Sequence, residues 1–182
     1  SNLVVGVAQI KAQPTRFEDN FRKITKAIDE ANEAKVDLLV FPELTIPGYS
    51  ALDNFRDPEF IKINREYLGK VIDYTKGSDL TVVVGFVDDR TSKVNGGEKH
   101  DYYNSAAVIK DGEIVGGTLG NGVIDKTLLP DYNIFWEPRY FKSGDTKKVV
   151  DVKGVPVGIQ VCEDLWEKDY SVSVTNELVE KG

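Results

Sequence analysis

Val36-Asp37-Leu38-Leu39-Val40-Phe41-Pro42-Glu43 is the stretch that decides the architecture. Residues 36–41 carry a single charge, and Pro42 closes the run. That is the pattern of a short strand buried on both faces, as in a parallel sheet. Upstream, Phe17, Phe21, Ile24, Ile28 and Ala31 recur at helical spacing with polar residues between them, which predicts a helix from about Arg16 to Ala34. Before that helix, Leu3 to Ile10 alternates enough to be a strand, and Gln13-Pro14 ends it. Strand, helix and strand in succession imply an α/β fold whose first two strands run parallel.

Downstream, Pro42 to Tyr49 holds two prolines and a glycine and reads as a loop. Pro58 suits the first turn of a second helix that continues to about Lys76, because proline has no N–H to lose there. Leu80 to Phe86 is a Val-rich strand. Asp88 to Tyr102 is polar, contains Gly96-Gly97, and reads as a loop. Asn104 to Ile109 and Glu113 to Thr118 form a hairpin around Lys110-Asp111-Gly112. Gly116 to Tyr140 is mostly irregular, and a loop of that length in a small domain is often functional. Lys148 to Val152 and Val155 to Val161 make a second hairpin around Lys153-Gly154. Val172 to Lys181 reads as a last helix. The chain stops where an α/β pattern would feed another strand, so the expectation is a piece of a longer protein.

The 182 residues suit one domain, and 41% hydrophobic with 29% charged is ordinary for a soluble globular protein. The net charge of −7 argues against a broad surface for nucleic acid or anionic membrane. No apolar run approaches the ~20 residues that span a bilayer. Ser1-Asn2-Leu3 lacks the regions of a signal peptide, and the chain has no methionine, so the start reads as a tag scar or an edited start. One cysteine, Cys162, can form neither an internal disulfide nor, alone, a zinc site. The expectation is a cytoplasmic protein with a free thiol and no metal.

Cys162 follows the apolar run 155–161, and Glu163-Asp164 come next, so its thiol can face a cleft at a strand end. A cysteine nucleophile needs a base to make thiolate and a donor for the oxyanion. The single histidine, His100, sits between Lys99 and Asp101 in a polar stretch and reads as a solvated residue. Glu43 is the better base. It follows the strand 36–41, and if that strand and the one leading to Cys162 are parallel neighbours, the two side chains meet at one sheet edge. Lys126 lies among apolar residues in Val123-Ile124-Asp125-Lys126-Thr127-Leu128-Leu129-Pro130 and could be a donor aimed at an oxyanion. Taken alone, a loop glutamate or lysine is usually just exposed. Glu137, among the aromatics of 135–141, is either an ion-pair partner of Arg139 or a second carboxylate of the site.

Taken together, Glu43, Lys126 and Cys162 resemble the Glu-Lys-Cys triad, in that chain order, of the nitrilase (carbon–nitrogen hydrolase) superfamily. Phe41-Pro42-Glu43-Leu44-Thr45-Ile46-Pro47-Gly48-Tyr49 is similar to the family's catalytic-glutamate loop. Leu129-Pro130-Asp131-Tyr132-Asn133-Ile134-Phe135, with Glu137-Pro138-Arg139-Tyr140-Phe141, resembles the segment after the lysine in the glutamine-dependent NAD synthetase branch. Gly158-Ile159-Gln160-Val161-Cys162-Glu163-Asp164-Leu165-Trp166 resembles that branch's nucleophile strand.

The resemblance implies an α/β fold of the α-β-β-α sandwich type, here its N-terminal two-thirds, with residues 1–182 forming an incomplete glutaminase domain. It implies that Cys162 attacks the side-chain amide of glutamine, that Glu43 serves as base and then acid, and that Lys126 with the backbone N–H of Glu163 holds the oxyanion. Glu137 would orient the lysine and substrate, and Tyr49 and Tyr132 would belong to the pocket. The glutaminase half-reaction would need no cofactor. ATP and Mg would serve a synthetase domain absent here, since Gly116-Gly117 and Gly120-Asn121-Gly122 lack the spacing and Lys-Ser/Thr ending of a phosphate loop. Glutamine as substrate, a synthetase domain in the parent chain and a homo-oligomer are the implied partners, with no nucleic acid and no membrane. Alternative readings are a free-standing amidase or N-carbamoyl hydrolase, and a folded but inactive fragment or interaction module.

Overall fold

The two helices expected within the described residues form, the first where apolar periodicity places it and the second where Pro58 starts it. The computed structural model describes residues 2–49, 52–116, 122–126, 141–142, 144 and 149–161. Helix α1, Phe17–Glu33, buries Phe17, Ile24, Ile28 and Ala31 along one stripe, with Glu18 and Asp19 in the first turn facing the positive end of the helix dipole. Helix α2, Pro58–Tyr74, begins with proline at its first turn, and the Asp57 carboxylate caps it by accepting the Glu59 N–H at 2.9 Å. Each helix also buries one asparagine that is satisfied by backbone. Asn64 exchanges two hydrogen bonds with Val87, donating at 2.7 Å and accepting at 3.1 Å. Asn20 accepts from Gln13 N and donates to the carbonyls of Gln13 and Ile46.

Among the described residues, the main sheet has six strands. Strand β1, Val5–Val7, pairs parallel with β2, Leu38–Val40, and β2 pairs parallel with β3, Thr81–Val94. Strand β4, Gly97–Lys110, returns antiparallel to β3, and both β5, Glu113–Ile114, and β6, Val123–Asp125, pair antiparallel with β4. A separate two-stranded sheet consists of β7, Val149–Val152, and β8, Val155–Gly158.

Alternate residues of the central strands serve two cores. Leu39, Val82, Val84, Ala107 and Ile109 join the core under α1 and α2. Leu38, Val83, Ala106 and Val108 join Val150, Val152 and Val161 on the opposite face. Helices, sheet and hairpin therefore stack as three layers. Burial on both faces explains why these strands read as continuous apolar runs.

Several expectations need correction. The polar stretch 88–102 is not a loop. It continues β3 and β4 as a ribbon in register from Asp88↔Tyr103 to Val94↔Gly97, turning at Asn95 (φ 48°) and Gly96 (φ 81°). Positive φ at both turn positions matches the strand twist, and Asn-Gly is the pair that tolerates it. The stretch 116–140 contains strand β6. Strand β8 pairs with β7 in the expected hairpin, but it ends at Gly158, short of Val161, and does not lie beside β2, whose neighbours are β1 and β3. The last helix expected at 172–181 lies outside the described residues. No described helix is long and apolar enough to cross a membrane.

Candidate active site

Glu43 is placed by a turn that crosses over the sheet. The ladder between β2 and β3 ends at Phe41, whose N–H donates to Val83 O at 2.9 Å. The chain then folds back across β3, and Ile46 N–H donates to Gly85 O at 3.1 Å. Within the turn Leu44 is fully buried with φ at 51°, and the buried Thr45 hydroxyl donates to Pro42 O. A leucine in the left-handed region costs backbone energy, so the surrounding contacts hold it there. Gly85 permits the crossing, because a Cβ at that position would lie 2.3 Å from Leu44 N and 2.9 Å from Pro42 O. Asn20, reaching Ile46 O, ties the same turn to α1.

Lys126 follows the last residue of β6. Its N–H donates to Asn104 O at 2.8 Å, and its carbonyl accepts from Gly144 N at 3.0 Å. The strand is gripped one residue earlier. Buried Asp125 accepts from Ser105 Oγ at 2.8 Å and from Arg90 at 2.6 Å, and Arg90 also bonds Asp88 at 2.9 Å and lies over the Tyr103 ring. Burial pulls the Arg90 guanidinium down, but Asp125 and Asp88 outweigh it and hold its pKa above the ordinary value.

The two placements converge. Lys126 Nζ donates to Glu43 Oε1 at 2.8 Å, with the lysine side chain 1% exposed and the glutamate 13%. Asn104 Nδ2 donates to the same oxygen at 2.6 Å, and Asn104 is fully buried. A carboxylate and an ammonium are thus held together with little water around them, where their fields act strongly. A cleft of about 320 Å³ opens beside them, lined by Glu43, Gly85 and Ser105 on the sheet side and by Ile159, Gln160 and Val161 on the other. The arrangement can pass a proton through Glu43 and stabilise negative charge near Lys126.

A larger cavity of about 580 Å³ lies past the C-terminal ends of α1 and α2, among Asp29, Lys35, Lys76 and Asp79. It is at the opposite edge of the sheet from Glu43. We assign the chemistry to the smaller cleft, because that is where the buried charges are.

Of the residues singled out in the sequence, Glu43 and Lys126 are in direct contact. Tyr49 packs, partly buried, against the helix-side core. Cys162, Glu163, Tyr132 and Glu137 lie outside the described residues, although Val161, which precedes Cys162, lines the cleft. His100 is on the ribbon, with Nδ1 3.0 Å from Asp89 Oδ1. Sequence reasoning missed Asn104, Gly85 and the Arg90–Asp125 pair. The one available signal was Asn104-Ser105, two polar residues heading an apolar strand.

The profile of the carbon-nitrogen hydrolases matches residues 4–178. The chain is 40% identical over 164 residues to the glutamine-dependent NAD(+) synthetase of Thermotoga maritima, covering 90% of this chain and 26% of that protein. It is 34% identical over 163 residues to the enzyme of the same name from Aquifex aeolicus, again covering 90% and 26%. The chain spans about a quarter of the length of these curated relatives. Among solved structures, the glutamine-dependent NAD+ synthetase of Acinetobacter baumannii superposes with a TM-score of 0.76 at 30% identity, over 97% of this chain and 30% of that one.

Proposed function

The chain belongs to the carbon–nitrogen hydrolase family, and from that premise we propose that it is the amide-hydrolysing part of a glutamine-dependent NAD synthetase. In this reading Cys162 attacks the side-chain amide carbon of glutamine while its proton passes to Glu43. The amide oxygen becomes an oxyanion, stabilised by Lys126 and the backbone N–H of Glu163. Collapse of the tetrahedral intermediate expels ammonia, which takes the proton from Glu43, and leaves a glutamyl thioester on Cys162. Glu43 then deprotonates a water that attacks the thioester, and glutamate leaves with the thiol restored. Glu137, Tyr49 and Tyr132 support the substrate and the lysine. A synthetase domain elsewhere in the parent chain would use the ammonia, with ATP and Mg, to amidate deamido-NAD.

The observation that carries this reading is the buried contact between Glu43 and Lys126, at 2.8 Å, beside a cleft walled by residues 159–161. A lysine at 1% exposure is costly to bury. Its cost is understandable where charge develops during a reaction. The identity to glutamine-dependent synthetases supports glutamine as the amide.

The test is to measure both half-reactions of the full-length protein. Cys162→Ala is expected to abolish glutamate release from glutamine and glutamine-driven NAD formation, while NAD formation from free ammonium persists. Unchanged glutamate release in that variant would overturn the assignment of the nucleophile.

A further inference from the structure

We infer that Asn104 is a positioning residue that fixes which oxygen of Glu43 moves the proton, an inference that rests on reading Glu43 as the base. Among the described residues, both donors to the carboxylate go to one atom. Asn104 Nδ2 lies 2.6 Å and Lys126 Nζ 2.8 Å from Oε1. Two donors on one carboxylate oxygen occupy its lone pairs and lock the rotation of the group. Oε2 is then the oxygen that accepts the thiol proton and later returns it to ammonia.

Asn104 holds the lysine as well as the glutamate. Its carbonyl accepts the Lys126 N–H at 2.8 Å, so one residue of β4 sets the base through its side chain and the cation through its main chain. Its own backbone is held by the sheet. It is fully buried, paired with Val87 across the ladder, and followed by Ser105, whose hydroxyl grips Asp125. The pairs Asn104-Ser105 and Asp125-Lys126 therefore lock together residue by residue. The donor's neutrality matters too. A second cation here would compete with Lys126 for Glu43, whereas an amide orients the carboxylate without changing the charge of the site.

The experiment is steady-state glutamine hydrolysis by the full-length protein carrying Asn104→Leu, with the same branching but bulkier and without donors, or Asn104→Asp, similar in shape but without the NH₂ group. Both are expected to lower kcat by about 10²-fold, the effect of a reacting group misplaced by about 1 Å. KM should stay within about threefold if Asn104 acts through its hydrogen bond to the base. A general loss of structure would change KM and thermal unfolding along with kcat. If Asn104→Leu does not fold, Asn104→Asp decides, with ammonium-driven NAD formation reporting the folded protein. Wild-type kcat in a folded variant, or a change confined to KM, overturns the inference. Glu43→Gln separates the two levels. Full activity in that variant overturns the reading of Glu43 as base, and the role of Asn104 with it. Loss of activity in Glu43→Gln beside intact Asn104 variants overturns the role of Asn104 alone.

Discussion

A lysine side chain with 1% exposure is the strongest statement this molecule makes about a single residue. Removing one partner of a buried ion pair leaves an uncompensated charge, whereas neutralising both partners together often costs little. Lys126→Met is therefore expected to destabilise the protein by about 3–5 kcal/mol in urea unfolding and to stop amide hydrolysis. The double variant Glu43→Gln/Lys126→Met should recover much of that stability but no activity. A double variant as unstable as the sum of the single changes would show that the pair is not coupled. The residues of this pair could be singled out in the sequence because each lies in a local motif. Asn104 could not. It lies 61 residues from Glu43, and only the sheet brings them together.

At the scale of elements, the turn carrying Glu43 depends on a strand that does no chemistry. Gly85 on β3 lies directly under the turn, and the atoms a Cβ would strike are backbone, which cannot rotate away. Gly85→Ala is expected to cost about 1–3 kcal/mol, as overpacking does, and to depress kcat by displacing Glu43. Gly69→Ala is the control. It lies on α2 with nothing within 4 Å of the added carbon, so a gain of roughly 0.5–1 kcal/mol is expected there. Equal effects of the two changes on urea midpoint and on glutamate release would remove the claim that Gly85 seats the turn. Legibility also divides by element. Helix α1 was legible because one face of it is apolar, and α2 because Pro58 marks its first turn. The ribbon of β3 and β4 beyond Asp88 was not, because its residues are largely exposed and carry no alternation. Strand β6 is three residues long, too short for any period to show.

At the scale of the whole molecule, periodicity identifies strands but not the sheet they join. Residues 155–158 were legible as a strand, and their place in a second layer was not. That layer is fastened to the first by apolar packing of Val150 and Val152, and by an ion pair from the turn of the hairpin. Lys153 Nζ donates to Asp37, just before β2, and the other Asp37 oxygen accepts the Val4 N–H at 2.9 Å. The Lys153 hydrogen bond first, and the Val4 N–H second, hold the Asp37 carboxyl below its ordinary pKa. Lys153 is raised by the same hydrogen bond. A carboxyl depressed in the native state contributes stability that is fully present above its unfolded pKa and drains away as pH falls through the native value. A raised lysine contributes stability that is present below its unfolded pKa and lost as pH rises through the native value. Asp37→Asn should therefore lower the urea midpoint at neutral pH, and the gap from wild type should close as pH falls from about 5 to about 2. Lys153 is half exposed, so added salt should shrink the neutral-pH gap without erasing it, since the Val4 N–H bond carries no counter-ion. A gap that stays constant down to pH 2 would mean that Asp37 works through shape alone, and that the hairpin is held to the main sheet by its apolar face.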